Sequence, residues 1–158
     1  MVKDFKKFSE DLSKRSDAAG IAIVLTASPE PMILLVHATG GSWQKPKMGI
    51  PKGRIEQGES ILEAALRETL EETGIDLQES QLEPGIETVE VWKGTKFLYN
   101  IHYLVCKISS PMEIGLSGLK VPSSQLQQHE IDWAGFVKVS EAYEKIAASQ
   151  RIILDRIS

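Results

Sequence analysis

Apolar positions along the chain change period several times, and each change marks an element. Residues 2–16 place Phe5, Phe8 and Leu12 at helical spacing among Lys, Asp and Glu, which predicts a helix docked on the domain edge. Residues 18–26 and 32–37 are continuous apolar, β-branched runs separated by Ala-Ser-Pro-Glu-Pro, which reads as a hairpin of two central strands. Residues 86–92 and 96–108 read as a second antiparallel pair around Lys93-Gly94-Thr95. Residues 109–128 mix Ser, Pro, Gly and Gln without a clear period and predict an irregular excursion in which specificity could reside. A strand follows from about residue 131, and Ser140 is placed to N-cap a last helix that buries Tyr143, Ile146, Ala147, Ile153 and Leu154.

Between the two strand pairs the period becomes helical, and the chemistry gathers there. Ser60-Ile61-Leu62-Glu63 is a capping box, in which each of the two polar side chains satisfies a backbone donor of the other residue. Gly74 is well placed as the residue that ends the helix. At 100° per residue, Leu62, Ala65, Leu66 and Thr69 share one face while Glu68, Glu71 and Glu72 share another. That acidic face is costly as plain structure, because Glu68 and Glu72 repel at i,i+4 and the last turn is already the negative end of the helix dipole. A solvated acidic face is the alternative. Three carboxylates on one arc nevertheless supply hard oxygen ligands suited to Mg²⁺, or to Mn²⁺, beside a phosphate chain. Arg67 can brace Glu71 at i+4.

The order of these residues resembles the signature of the Nudix hydrolases, Gly-x5-Glu-x7-Arg-Glu-U-x-Glu-Glu-x-Gly-U, where U is bulky and aliphatic. Gly53, Glu59, Arg67, Glu68, Glu71, Glu72 and Gly74 fill its fixed positions, and Ile75 fills the last U. Thr69 departs from the pattern at the first U; a β-branched residue that can bond a carbonyl one turn back still fits a packed face. The resemblance implies an α/β/α sandwich with a mixed β-sheet over about residues 18–150, and hydrolysis of a nucleoside diphosphate linked to another group. It implies metal binding by Glu68, Glu71, Glu72 and the Lys52 carbonyl, with Glu59 as an anchor for the loop. Glu130, in the stretch Gln-His-Glu-Ile-Asp-Trp, corresponds to an additional acid that several family members keep. Glu68 and Glu130 are thus both candidates for the general base, with Arg67 counted among the catalytic group; His129 and Asp132 are weaker candidates.

The loop at 40–53, Gly-Gly-Ser-Trp-Gln-Lys-Pro-Lys-Met-Gly-Ile-Pro-Lys-Gly, feeds directly into the acidic helix. A loop of this length in a compact domain is usually functional. Lys52 and Arg54 flank the acids as charge-assisted donors to phosphate, with Lys45 and Trp43 as further substrate contacts. Trp92 and Tyr99, flanking the second turn, are candidates to stack on a base. Ile-Pro-Lys-Gly resembles the approach to the signature in dinucleoside polyphosphate hydrolases, and the downstream proline of the family's ADP-ribose hydrolases is absent. A 5′-triphosphate RNA end, a free nucleoside triphosphate, or a sensor that binds a nucleotide without turnover are the competing readings. His37 reads as a surface or strand-end histidine.

Composition narrows this picture only modestly. At 158 residues and 42% hydrophobic content the chain suits one domain, monomeric or homodimeric, and a formal charge of −4 argues against a broad basic nucleic-acid surface. Cys106 is the single cysteine and lies in an apolar run, so it reads as a buried small hydrophobe. Residues 1–16 are too charged for a signal core or a membrane span, which makes a cytoplasmic, reducing location the expectation.

Overall fold

The computed structural model describes residues 16–158; the helix expected over 2–16 lies outside the described residues. A mixed sheet forms its centre, from strands β1 (Ala18–Leu25), β2 (Met32–Ala38), β3 (Lys52–Arg54), β4 (Glu87–Lys93), β5 (Lys96–Ile108) and β6 (Ile131–Lys138). The strand order is β4-β5-β1-β2-β6, with β3 also paired to β1. β1 and β5 run parallel over Ala18 to Leu25 and Ile101 to Ile108, whereas the other pairs are antiparallel.

Both faces of the sheet are covered, which is why β1 and β2 read as unbroken apolar runs rather than alternating ones. Ala19, Ile21, Ile23 and Leu25 point to one face, where helix α1 (Ile61–Thr73) packs through Ile61, Ala64 and Ala65. Ala18 and Ala22, with Ile33 and Leu35, point to the other. That side is closed by α2 (Val139–Lys145) and α3 (Arg151–Ile157) through Ala142, Ile153 and Leu154. The architecture is therefore the α/β/α sandwich with a mixed sheet that the sequence implied.

Three expectations need correction. The β1–β2 hairpin is real but short: only Val24↔Ile33 and Leu25↔Met32 pair, because β3 occupies the first half of the same β1 edge. The last helix is two helices. Ser140 sits inside α2 rather than at its cap, and its hydroxyl donates to Glu30 Oε1 at 2.9 Å. α2 ends where Ile146 bridges to Met48 and the Ala147 N–H donates to the Met48 carbonyl at 2.8 Å, so a tertiary backbone contact replaces the next helical turn. Finally, His37 does stand at the end of β2, but it is buried rather than at the surface, 2% exposed and held between Asp132 Oδ1 at 2.7 Å and the Ser42 carbonyl at 3.1 Å.

Candidate active site

Local sequence sets the acidic helix in place. The Ser60 hydroxyl accepts from the Glu63 N–H at 3.0 Å and the Glu63 carboxylate accepts from the Ser60 N–H at 2.8 Å, as the capping box requires. At the other end Gly74 takes the left-handed conformation at φ 72°, which a side chain would strain. Thr69 is fully buried and donates to the Ala65 carbonyl at 2.8 Å, so its departure from an aliphatic residue leaves no unsatisfied group.

The approach of β3 to this helix depends on Gly53. A Cβ built there would stand 2.1 Å from the Glu68 carboxylate, so only a glycine lets the strand pass so close to that acid. Next to it the Lys52 N–H donates to Glu72 Oε1 at 3.1 Å. One β3 residue thus leaves space for the first acid and its neighbour binds the last.

Arg67 ties the remaining acids together. Its guanidinium forks onto Glu59, with Nε to Oε2 at 2.6 Å and Nη2 to Oε1 at 2.8 Å. Nη1 donates to Glu68 Oε1 at 2.8 Å and to both Glu71 oxygens at 3.2 and 3.3 Å, and Nη2 also reaches the Arg54 carbonyl at 3.1 Å. Burial would push the Glu59 carboxyl up, but the Arg67 hydrogen bonds, the Glu56 N–H and the guanidinium charge more than offset it and leave it lowered. The Glu59 hydrogen bond, outweighing burial, in turn holds Arg67 firmly protonated. Glu59 and Arg67 thus lock one another, and the same guanidinium holds Glu68 and Glu71.

Glu72 is the buried acid, at 8% exposure, and desolvation raises its pKa to about 7 despite the Lys52 N–H, with Glu68 and Glu130 adding to the rise. Burial, then the charges of Glu71 and Glu130, likewise pushes Glu68 up against the pull of Arg67. Glu130 therefore lies within electrostatic reach of both acids. Its loop is fixed by backbone bonds, from the Gln127 N–H to the Glu72 carbonyl at 3.2 Å and from the Thr39 N–H to the Glu130 carbonyl at 2.8 Å. Glu71 is more exposed, at 45%, and faces Arg67.

Among the described residues no three His, Cys, Asp or Glu side chains stand close enough to form a ready-made metal cage. The donor set nonetheless fits a hard divalent cation. Its donors are oxygens, Glu72 is a buried acid whose charged form is only partly compensated by the N–H and charge of Lys52, and Mg²⁺ typically takes one or two carboxylates together with waters and substrate phosphates.

Two clefts meet beside these acids. One is lined by Glu72, Glu130, Ile131, Val36 and Ala38, the other by Trp92, Tyr99, Val91 and Ser149, and Lys47, Lys52 and Gln150 line both. The structure thus places Lys52, Trp92 and Tyr99 along one cleft. Trp92 stays 47% exposed, although its N–H donates to Ser149 Oγ and its indole N–H to Glu90. Arg54 lines a separate recess with Glu56, Gln57 and Glu68. Trp43 and Lys45 line neither cleft. Trp43 instead stacks on His37 with ring centroids 3.7 Å apart and meets Trp133 edge-on, which pins the loop to the sheet. Lys47, two residues beyond Lys45, reaches the clefts alongside Lys52. Sequence reading also passed over Gln150, since one glutamine in an Ala-Ala-Ser-Gln stretch carries no local signal.

The sequence model of the NUDIX domain matches residues 14–157. No curated protein matches the chain. Among solved structures, a Caenorhabditis elegans Ap4A hydrolase binary complex superposes with a TM-score of 0.63 at 23% identity, covering 90% of this chain and 94% of that one. A MutT NUDIX hydrolase from Burkholderia pseudomallei gives 0.62 at 20% identity, covering 90% and 98%. The NUDIX domain of Shewanella oneidensis NrtR complexed with ADP ribose gives 0.60 at 16% identity, covering 90% and 88%. At these identities the likeness is one of fold.

Proposed function

The chain belongs to the NUDIX family and is a Nudix hydrolase, and from that premise we propose that it cleaves a phosphoanhydride with the help of Mg²⁺, or Mn²⁺. The substrate class we propose is a nucleoside diphosphate linked to another group, foremost a dinucleoside polyphosphate. The observation that carries this reading is the electrostatic convergence of Glu68, Glu72 and Glu130 beside a cleft that continues into one lined by lysines and aromatic side chains. A nucleotide whose phosphates lie along the acids and lysines then has Trp92 and Tyr99 within the second cleft for its base.

Glu68, Glu71, Glu72 and the Lys52 carbonyl would hold the cation, which supplies charge neutralisation on the phosphates when bound. The protein's own contribution is to fix these ligands: Arg67 holds Glu68 and Glu71, the Lys52 N–H holds Glu72, and Gly53 keeps the strand close. Glu130 is the better-placed proton acceptor. Glu68 is already engaged by Arg67, whereas the Glu130 carboxylate makes no hydrogen bond among the described residues and faces the cleft.

The choice of dinucleoside polyphosphate rests on the Ile-Pro-Lys-Gly approach to the signature. The test is Mg²⁺-dependent turnover of a nucleotide panel comprising dinucleoside polyphosphates, nucleoside triphosphates, ADP-ribose and 5′-triphosphate RNA. Preference for a dinucleoside polyphosphate is expected. Hydrolysis confined to ADP-sugars would overturn the substrate choice, and binding without turnover across the panel would overturn the catalytic reading.

A further inference from the structure

Gln150 is 5% exposed, yet it lines both clefts. Its side chain is held from one end. The Ile50 N–H donates to it at 3.0 Å, which requires the amide oxygen, Oε1, on that side and so fixes which way the carboxamide faces. The neighbouring backbone is shaped around it: a Cβ at Gly49 would stand 2.5 Å from Nε2, so residue 49 accommodates the amide only as glycine.

The segment that carries Gln150 is equally constrained. The Met48 N–H donates to the Lys145 carbonyl and the Ala147 N–H to the Met48 carbonyl, both at 2.8 Å, and the Gln150 N–H closes a turn onto Ala147 at 2.9 Å. These bonds fasten the stretch after α2 to the loop that leads into β3. The Nε2 amide group, by contrast, makes no hydrogen bond within the described residues, and since no fully buried side-chain nitrogen or oxygen among them lacks a partner, this nitrogen is open to the clefts. Its N–H donors are therefore left for whatever fills the clefts.

The three residues common to both clefts are Lys47, Lys52 and Gln150, two ammonium groups and an amide presented by its nitrogen. Donors without an acceptor among them select an anionic oxygen. We infer that the Gln150 carboxamide is a specificity-determining contact that donates to a phosphate oxygen of the nucleotide at the junction of the acid-lined and aromatic-lined clefts. This rests on the nucleotide reading above and adds a residue to it. In this arrangement Gly49, Ile50 and the 145–150 segment are positioning elements, and Gln150 links where the base sits to where the phosphates sit.

The test measures ADP affinity by calorimetry in the absence of turnover, with thermal melting recorded alongside, for the full chain and for Gln150→Met and Gln150→Glu. Gln150→Met removes the donor without adding charge. Gln150→Glu removes the donor and keeps an acceptor for the Ile50 N–H but adds a charge beside Glu72 and Glu130, so it is read only together with an uncharged variant. We expect ADP binding to weaken at least tenfold in both, with each variant still melting in a single cooperative transition. Wild-type affinity in Gln150→Met would overturn the inference whatever Gln150→Glu does, because charge repulsion alone would then explain the second variant. If Gln150→Met does not fold, the equally uncharged Gln150→Leu takes its place and is read the same way: wild-type affinity overturns the inference and a tenfold loss supports it. Failure of the unmodified chain to bind ADP would overturn the nucleotide reading and this inference together, whereas binding shared by all three proteins would overturn the assignment to Gln150 alone.

Discussion

Replacing Gly53 with alanine should disable the active site while leaving the fold intact. The backbone at this position is in the ordinary extended region, as part of β3, so a methyl group adds no conformational strain there. The effect is steric and has one target. The new Cβ would lie 2.1 Å from the Glu68 Cδ and Oε2, against an ordinary contact of at least 3.4 Å, so the carboxylate must retreat by about 1.3 Å, the difference between the two. Glu68 is a flexible side chain and can do this, but the 2.8 Å bond from Arg67 Nη1 then stretches beyond hydrogen-bonding range or the guanidinium moves with it. Overpacking of this kind costs about 1–3 kcal/mol of stability, which leaves most of a typical domain's stability in place. A displacement of about 1 Å in a positioning group can cost roughly 100-fold in rate. Gly53→Ala should therefore melt a few degrees lower and turn over at ~1% of the wild-type kcat in the Mg²⁺-dependent assay. Combining it with Glu68→Gln gives the sharper check: if Gly53 acts through Glu68, the double variant should be scarcely slower than Glu68→Gln alone. A folded Gly53→Ala protein with kcat within twofold of wild type would refute the reasoning.

Other expectations follow from the same geometry. Arg67→Lys cannot reproduce the fork onto Glu59 while also reaching Glu68 and Glu71, so it should lower stability by ~2 kcal/mol and raise the Mg²⁺ concentration needed for half-maximal activity; an unchanged Mg²⁺ requirement would contradict its positioning role. Glu72 is raised to about 7 in the metal-free fold, above its ordinary value of 4.5, so its contribution to stability is complete below pH 4.5 and is lost as pH rises through 7. Urea denaturation in chelator should accordingly show stability falling by up to about 3 kcal/mol between pH 5 and 8, and a rising curve would argue against desolvation dominating at this buried acid. Cys106 is fully buried, and burial, with Glu113 and Glu83 adding to it, pushes its thiol up to about 11. It should resist alkylation at pH 8 until the protein is unfolded; rapid labelling of the native chain would place it elsewhere.

The same distinction between local and distant causes separates what the chain announced from what folding decided. The capping box at Ser60, the stop at Gly74, the strand over Lys96–Ile108 and the acid-bearing helix face all depend on residues within a few positions of one another. Their geometry follows from backbone periodicity and local hydrogen bonds, so sequence alone determined them. The sandwich was legible through the signature's resemblance to the Nudix hydrolases and the interleaving of strands and helices, and burial of the sheet on both faces bears it out. No membrane-spanning helix exists among the described residues, consistent with the short, patterned apolar runs.

Tertiary structure decided the rest. Within the 40–53 loop Trp43 stacks on a buried His37, while Lys47 and Lys52 line the cleft and Lys45 does not. The break after α2 was set by Met48, a residue about a hundred positions away in the chain, and that break is what delivers Gln150 to the junction of the two clefts. No periodicity encodes such a placement. An amide becomes a directed donor only when a distant backbone N–H claims its oxygen, and that pairing exists only once the chain has folded.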